Sequence, residues 1–293
     1  MNRRTLLTSA AATLAAPALL AVPTRAPAAD AAERRLATIE LRTGGRLGVA
    51  VSDTGTGHTL AYRAHERFPM CSTFKALAVA AVLRRVESRE EQLDRRIPYT
   101  QADLLAYAPV TREHVHEGGM TVEALCAAAI EYSDNTAANL LLASLGGPEG
   151  VTRFARALGD RVTRLDRTET SLNTAIPGDP RDTTTPAAMA ADLRDVLIGN
   201  ALLRPAQLRL QGWMDACKTS AARLRAGLPR GWAVGDKTGT GENGTANDIG
   251  IVRPVGRKPL LVAVYLTGAT AIDGDRRDAA IADVGRVIGE VFR

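Results

Sequence analysis

Cysteine is scarce in this sequence, which has only Cys71, Cys126 and Cys217 among its 293 residues. An odd number without any Cys-x-x-Cys spacing excludes a disulfide-rich scaffold and a zinc cluster built on thiolates. One disulfide is compatible with the sequence, although nothing in it requires one. Because unpaired cysteine behaves as a small hydrophobic residue, we expect three thiols that are mostly buried.

Histidine is also scarce, with four residues in the chain. His114 and His116 have a spacing that could hold zinc, but no group of Cys or Asp accompanies them. Only His58 and His65 remain elsewhere. We therefore expect a polar loop between helices at His114, with no metal ion and no cofactor in the protein.

The chain lacks a strong excess of charge of one sign. Its formal net charge is +5, but residues 1–28 contain three arginines and no acid, so 34 basic and 32 acidic residues remain in 29–293. The sequence also has no block of Lys and Arg with interleaved aromatic residues. This balance excludes a nucleic-acid-binding surface.

Long hydrophobic runs are missing after residue 22, since no later stretch reaches the roughly 18 apolar residues of a membrane span. The one long uncharged run, at residues 5–22, follows a short basic segment and precedes Ala26-Pro27-Ala28, a spacing that signal peptidase recognises. Residues 1–28 therefore resemble an export signal, and Arg3-Arg4 resembles a twin-arginine signal. An ordinary Sec signal remains the alternative. We expect a secreted or periplasmic protein without a lipid anchor, because no Cys lies near the cleavage site.

Short β-branched segments occur near both ends of the chain, and helical patterns fill the middle. The segments that read as strands are 46–51, 59–63, 232–236, 249–252 and 260–266. The segments that read as helices are 30–40, 74–86, 121–132, 136–145, 185–197 and the C-terminal segment around 281–291. This order predicts an α+β fold: a five-stranded antiparallel sheet built from both chain ends and flanked by helices, with an all-helical lobe inserted at roughly 71–220. Residues 29–293 then form a single domain of two lobes.

The first chemical motif is Ser-Thr-Phe-Lys at residues 72–75. At the start of a helix, Ser72 and Lys75 lie one turn apart on the same face. A serine hydroxyl needs a base within hydrogen-bond reach, and a lysine whose pKa is lowered can supply one. The helix N-terminus also directs backbone N–H groups toward a developing oxyanion. The alternative is a helix cap followed by a solvated lysine.

Two further motifs are each ambiguous alone. Ser-Asp-Asn at residues 133–135 separates two predicted helices, where Ser133 and Asn135 could cap the second helix. Ser133 could instead carry a proton to a leaving nitrogen, while Asn135 offers its amide to a substrate. Lys-Thr-Gly-Thr at residues 237–240 follows a predicted strand. Lys237 and Thr238 could hold a carboxylate there, or Lys237 could simply protect a sheet edge.

A polar loop at residues 164–185, called the Ω-loop below, contains Glu169 and Asn173. These two side chains could share one water molecule, with the carboxylate as its general base. A solvated acidic residue is the alternative.

These motifs together, in this order and after an export signal, resemble those of class A β-lactamases. The resemblance runs from about residue 30 to residue 293. It implies that Ser72 is the acylated nucleophile, that Lys75 activates it, and that Ser133 passes a proton to the β-lactam nitrogen. Glu169 and Asn173 would position the deacylating water. The expected partners are β-lactam substrates and this water, in a monomer whose active site lies at the junction of the lobes.

The same resemblance implies further substrate contacts. The strand with Lys237, Thr238, Gly239 and Thr240 would bind the substrate carboxylate. The backbone N–H groups of Ser72 and Thr240 would form the oxyanion hole. Tyr107 resembles the aromatic residue at the mouth of the cleft. The resemblance also pairs Arg167 with Asp182 in an ion pair that closes the Ω-loop.

The sequence departs from the family pattern at several positions. Many relatives have an arginine where this chain has Ala246, and we expect Arg223 to replace it, the alternative being a surface arginine. Gly241 stands where one carbapenem-hydrolysing group has the disulfide partner of Cys71, and Val79 where another branch has the partner of Cys126. Thr170 follows Glu169 where many relatives have proline, which leaves open whether that peptide bond is cis.

Two other functions use similar motifs. A D,D-peptidase of the penicillin-binding type would lack the deacylating acid that Glu169 resembles. A β-lactam sensor, which is acylated once and stays blocked, usually sits on a membrane-spanning partner. The sequence leaves open the substrate spectrum, the susceptibility to clavulanate, and whether Lys75 or Glu169 is the acylation base.

Overall fold

A computed structural model describes residues 27–293 of the chain. The helices in this part are α1 (Pro27–Thr43), α2 (Phe74–Glu87), α3 (Val122–Glu131), α4 (Asn135–Ser144), α5 (Glu149–Ala157), α6 (Pro186–Leu197), α7 (Arg204–Asp215), α8 (Leu224–Gly227) and α9 (Gly274–Val291). The strands are β1 (Arg46–Asp53), β2 (Thr59–Tyr62), β3 (Phe68–Pro69), β4 (Arg96–Ile97), β5 (Met120–Thr121), β6 (Thr183–Thr184), β7 (Ala233–Gly241), β8 (Thr245–Arg253) and β9 (Leu260–Thr267). The predicted export signal lies outside the described residues, apart from its last two.

Five strands form one antiparallel sheet in the order β2-β1-β9-β8-β7. Strand β9 lies in the middle, and all of its residues are buried. Its side chains alternate between two hydrophobic clusters, with Leu261, Ala263 and Tyr265 in one and neighbouring residues such as Val262 in the other. The sheet is therefore covered on both faces, and the predicted α+β fold is confirmed.

The terminal helices cover one face of the sheet. Leu36 of α1 and Ile281 and Ile288 of α9 belong to the cluster that holds Val262. Helix α6 packs against β1 and β9 on the other face, where its buried Met189 and Leu193 join the cluster of α2. Helix α6 begins as predicted, since Thr185 Oγ1 accepts a hydrogen bond from the N–H of Ala188 and proline occupies the first turn.

The structure corrects the lengths of two strands. Strand β7 runs from Ala233 to Gly241, rather than ending at residue 236, so the Lys-Thr-Gly motif lies inside a strand. Strand β8 begins at Thr245 instead of residue 249. The early part of β8 contains Asn247 and Asp248, which are buried although they are polar. A prediction based on hydrophobic residues therefore misses this part of the strand. Asn247 is satisfied there because its Nδ2 donates to the carbonyls of Pro69 and Met70.

The hydrogen bonds of Asn247 join strand β8 to the residues that come just before Ser72. The carbonyls of Pro69 and Met70 lie immediately before a 3₁₀ turn at Cys71–Thr73, which leads into α2. The turn contacts both β7 and β8. The sheet therefore meets the long helical segment at Ser72. The boundaries of the two lobes at about 71 and 220 stay a prediction.

Residues 27–293 contain no helix that is both long and apolar enough to cross a membrane. All three cysteines are free and buried, as the sequence predicts. A Cβ atom built on Gly241 would lie 2.6 Å from the sulfur of Cys71, so the two positions are in contact even though glycine cannot form the bridge.

Candidate active site

Ser72 lies in the 3₁₀ turn rather than in the first turn of α2, which begins two residues later. Thr73, not Ser72, occupies the position before the helix, and its Oγ1 donates to the carbonyl of Met70. Strand β7 approaches this turn closely at Gly239, where an added Cβ would lie 2.7 Å from Met70 O. A side chain at residue 239 would push the strand away from Ser72.

Glu169 brings Ser72 and Lys75 together. Ser72 Oγ donates to Glu169 Oε1 at 2.9 Å, and Lys75 Nζ lies 2.9 Å from the same oxygen. Lys75 is 1% exposed and Glu169 is 4% exposed. At this depth the attraction between the ammonium and the carboxylate is only weakly screened by solvent.

Burial lowers the pKa of Lys75, while the nearby charge of Glu169 opposes this effect. Lys75 Nζ also donates to the carbonyl of Ser133 at 2.8 Å and to Asn135 Oδ1 at 2.7 Å. The ammonium group is thus held by three oxygens on three different residues. Its position is fixed, and its proton is more available than that of a solvated lysine.

The Ser-Asp-Asn motif lies between α3 and α4, as predicted, but the capping residue differs. Asp134, not Ser133 or Asn135, caps α4, and its Oδ1 accepts from the N–H of Ala137. Asp134 Oδ2 also accepts from the backbone of Val110 and Thr111. Asp134 is buried, and these contacts hold it in place. Its two neighbours in the chain, Ser133 and Asn135, are thereby held where both contact Lys75.

Lys237 approaches Ser133 from the opposite side. Its Nζ donates to Ser133 Oγ at 2.9 Å and to the carbonyl of Thr238 at 2.7 Å. Burial, and after it the positive charge of Lys75, lower the pKa of Lys237 to about 7. Lys75 Nζ lies 3.4 Å from the same hydroxyl. The Ser133 hydroxyl therefore lies between two buried lysine side chains whose pKa values are both lowered.

The Ω-loop presents Glu169 through contacts that the sequence analysis does not include. Asn139 on α4 holds the backbone of Glu169 twice, because its Oδ1 accepts from the N–H and its Nδ2 donates to the carbonyl. Asn139 lies four residues after Asn135, on the same face of α4, and this spacing is the only sequence signal for it. The peptide bond between Glu169 and Thr170, left open by the sequence, is cis.

Asn173 completes the carboxylate's surroundings. Its Nδ2 donates to Glu169 Oε2 at 2.5 Å. Its Oδ1 is buried and has no hydrogen-bond partner within the described part of the chain. A buried amide oxygen is costly to leave unpaired, so this atom is suited to accept a hydrogen bond from a ligand or water beside Glu169.

The ends of the Ω-loop are joined by the predicted ion pair. Arg167 Nε donates to Asp182 Oδ2 at 2.5 Å, and Asp182 Oδ1 accepts from the N–H groups of Asp166 and Arg167. Asp182 is fully buried. Removing one partner of such a pair would leave an uncompensated buried charge, so the pair fixes the loop that carries Glu169.

Arg223 is buried rather than on the surface, and it lies behind the Lys-Thr-Gly strand. Its Nη1 donates to the carbonyls of Gly239 and Asn247, and its Nη2 donates to Thr240 Oγ1 at 2.7 Å. Asp278 on α9 accepts from Arg223 Nε at 2.8 Å. Asp278 was not predicted from the sequence, because 55 residues separate it from Arg223.

A cleft of about 340 Å³ opens over these residues. It is lined by Ser72, Tyr107, Ser133, Asn135, Asn173, Thr219, Arg223, Thr238 and Thr240. Tyr107 is half exposed at its rim, with its hydroxyl donating to the carbonyl of Tyr132. Thr219, which the sequence analysis missed, hydrogen-bonds to Thr238 through their hydroxyls. The predicted site residues thus surround one cleft, except Gly239 and the deeper Lys75, Glu169 and Lys237, which lie behind its lining.

Comparison with protein families gives a match over almost the whole described chain. A family described as the β-lactamase enzyme family matches residues 31–292. The chain is 49% identical to β-lactamase CTX-M-8 of Citrobacter amalonaticus over 282 residues, which cover 96% of this chain and 95% of that protein. It is 51% identical to β-lactamase AST-1 of Nocardia asteroides over 257 residues, which cover 88% and 82%.

Solved structures give a consistent result. A class A β-lactamase representing the last common ancestor of Gram-negative bacteria is 60% identical, with a TM-score of 0.88 over 90% of this chain and 100% of that one. The class A β-lactamase PenP from Rhodopseudomonas palustris, described as putative, is 56% identical, with a TM-score of 0.87 over 89% and 99% of the two chains.

Proposed function

Since the chain belongs to the class A β-lactamase family and hydrolyses β-lactams, which confers resistance to these antibiotics, we propose that it acts through an acyl-enzyme on Ser72. The contact of Ser72 Oγ with Glu169 Oε1 is the observation that carries this proposal. It places a nucleophile against a buried carboxylate that can accept its proton.

In the acylation step, Ser72 Oγ attacks the carbonyl carbon of the β-lactam and its proton passes to Glu169. The carbonyl oxygen becomes an oxyanion, which the backbone N–H groups of Ser72 and Thr240 stabilise. Collapse of this intermediate breaks the bond to the ring nitrogen. Ser133 Oγ donates its proton to that nitrogen and is reprotonated by Lys75, which lies within hydrogen-bond range of it. Glu169 then passes the proton that it took from Ser72 to Lys75 across their 2.9 Å contact, so the carboxylate is ionised again before deacylation.

In the deacylation step, Glu169 takes a proton from a water that attacks the ester carbonyl. Asn173 orients the same water, because its otherwise unpartnered Oδ1 accepts a hydrogen bond while its Nδ2 holds the carboxylate. The proton then returns to Ser72 Oγ as the product leaves. Glu169 and Asn173 set this function apart from a D,D-peptidase or a sensor.

The test is intact-mass spectrometry of the purified protein with excess benzylpenicillin, while β-lactam absorbance is followed. We expect many turnovers with little persistent adduct. A stable one-to-one adduct without turnover would identify a penicillin-binding or sensor protein instead. The same spectrum gives the mature N-terminus, which we propose follows residue 28 in a protein exported from the cytoplasm.

We propose that Arg223 binds the substrate carboxylate together with Lys237, Thr238 and Thr240, with Asp278 as its positioning residue. Arg223→Ala is expected to raise the KM for benzylpenicillin roughly tenfold with a smaller change in kcat, because a charge-assisted hydrogen bond to substrate is lost. Asp278→Asn should give a smaller rise of the same kind.

The methyl ester of benzylpenicillin is the matched chemical control, because it lacks the carboxylate. Wild type and Arg223→Ala should hydrolyse this ester equally well. Arg276→Ala, on the same helix as Asp278 but exposed, should leave both substrates unaffected. A KM defect of Arg223→Ala that persists with the ester would show that Arg223 only supports β7.

We propose that the enzyme acts as a monomer, because every residue assigned to the reaction comes from one chain. Light scattering at working concentration should give the mass of a single mature chain. A stable dimer whose dissociation abolishes activity would contradict this proposal.

A further inference from the structure

A second and larger cavity, of about 660 Å³, lies against the Ω-loop and shares no lining residue with the catalytic cleft. We call it the rear cavity. Residues 175–181 of the Ω-loop form one wall, and the segments 44–46 and 66–69 with the end of β9 form the other. Its volume falls in the range of small-molecule sites, and none of the residues assigned to the reaction lines it.

The loop side of the rear cavity is largely apolar. Its apolar residues are Leu172, Ala175, Ile176, Pro177 and Pro180, and its charged residues are Arg167, Asp179 and Arg181. Ile176 is 50% exposed, which is unusual for a large aliphatic side chain beside other apolar residues. This wall can accept an aliphatic or aromatic group from a ligand.

Four arginines also line the rear cavity, and three of them are neutralised. Arg46 pairs with Glu66, Arg181 pairs with Asp179, and Arg167 pairs with Asp182. The fourth is Arg67.

Arg67 uses its Nη1 for neutral acceptors, the carbonyl of Val162 and Thr183 Oγ1, and within the described residues it forms no ion pair with a carboxylate. These two bonds hold the guanidinium in place at the cavity. Among the four arginines of the rear cavity, Arg67 is the one whose positive charge is not paired with a carboxylate of the described residues.

We propose that the rear cavity binds a small organic monoanion: a carboxylate or sulfonate that pairs with Arg67, carried on a compact apolar body that packs on Ile176 and Pro177. A guanidinium prefers such planar or tetrahedral oxyanions, and a single uncompensated cation matches a single negative charge. A dianion would leave one charge unpaired in the cavity, and a neutral molecule would leave Arg67 unused.

Two consecutive residues of the Ω-loop connect the rear cavity with the catalytic cleft. Leu172 lines the rear cavity and Asn173, the next residue, lines the catalytic cleft. An occupant of the rear cavity therefore packs against the segment that holds Asn173 and Glu169. The ligand acts on deacylation, which follows the formation of the acyl-enzyme proposed above. It therefore changes kcat and KM together and leaves kcat/KM for β-lactams nearly unchanged.

Fluorescence titration with 8-anilinonaphthalene-1-sulfonate tests the binding, since this probe is a monoanion on an apolar body. N-phenyl-1-naphthylamine, which lacks the sulfonate, is the matched control. We expect one bound sulfonate probe per chain and at least roughly tenfold weaker binding of the neutral probe. Equal affinity for the two probes, or several weak sites, would overturn the proposal.

Variants locate the site. Arg67→Gln and Ile176→Asp should each weaken the sulfonate probe roughly tenfold, whereas Arg67→Lys keeps the charge and most of the affinity. Arg230→Gln removes an exposed arginine that does not line the rear cavity, and it should have no effect. If Arg230→Gln weakens binding as much as Arg67→Gln, the probe senses net charge and the site is refuted.

Kinetics separate the rear cavity from the catalytic cleft. A saturating sulfonate probe should change kcat for benzylpenicillin while kcat/KM stays within about twofold, and Arg67→Gln should abolish this effect. A purely competitive pattern would place the probe in the catalytic cleft and overturn the proposal.

Discussion

Glu169→Gln is expected to give an enzyme that forms the acyl-enzyme and then stops. The amide cannot take a proton from water, so deacylation should slow by roughly 10²- to 10⁴-fold, the usual contribution of a general base. Intact-mass spectrometry after mixing with benzylpenicillin should show the whole protein heavier by one penicillin molecule. In the wild type the same adduct should be scarcely populated.

Acylation should survive in this variant because of Lys75. Burial lowers the pKa of Lys75, and the charge of Glu169 is the main influence that opposes this. Removing that charge favours the neutral amine, which lies one helical turn from Ser72 and can accept its proton. The acylation rate of Glu169→Gln should therefore rise with pH as Lys75 loses its proton, which a stopped-flow series would measure.

Two controls make the result specific. Ser72→Ala should form no adduct at all, which places the acyl group on Ser72. Glu113→Gln changes an exposed glutamate that does not line the cleft and should turn over like the wild type. Undiminished turnover in Glu169→Gln would remove Glu169 from the mechanism, and a complete loss of acylation would show that Lys75 cannot act as the base.

The sheet could be predicted where hydrophobic residues define it. Strand β9 is a run of buried aliphatic residues, and its prediction needs no other part of the chain. Strand β8 could not be delimited because Asn247 and Asp248 are polar yet buried. Their burial depends on acceptors such as the carbonyls of Pro69 and Met70, nearly 180 residues away in sequence. Helices α5 and α7 have no counterpart among the predictions.

The candidate site divides in the same way. Ser72, Lys75, Ser133 and Lys237 belong to short motifs whose spacing is visible in the sequence. Asn139, Thr219 and Asp278 act only through partners that the fold brings to them. Arg223 is intermediate: its presence suggested a substitute for the arginine missing at residue 246, but only the structure places its guanidinium behind β7. Residues that position others leave little trace in one sequence.

Substitution of Lys237 is expected to cause the second large loss of activity. Lys237→Ala is expected to lower kcat/KM for benzylpenicillin by about 10²- to 10³-fold, because a buried charged donor to the substrate carboxylate and to Ser133 is lost. Steady-state kinetics at pH 6 measure this, since the wild-type ammonium is then mostly protonated. Both the binding of the carboxylate and the proton supply to Ser133 should suffer, so kcat and KM should both change.

The pH dependence follows from the pKa of Lys237, which burial and the positive charge of Lys75 lower to about 7. Below that pH the free enzyme carries the ammonium that pairs with the substrate carboxylate, and above it the amine is neutral. Wild-type kcat/KM should therefore fall as pH rises through about 7, approaching a tenfold loss per pH unit. The substrate carboxylate stays ionised throughout, so this limb reports the enzyme.

Lys237→Arg is the decisive variant, because a guanidinium stays protonated across the whole range. Its kcat/KM should start below that of the wild type at pH 6, since the larger group fits the buried position less well. It should then stay flat where the wild type declines, and the two curves should converge above pH 7. An alkaline limb that remains near pH 7 in Lys237→Arg would belong to another group. Lys75, whose pKa is also lowered by burial, would then be the group responsible. The pH dependence of the acylation rate in Glu169→Gln would identify it.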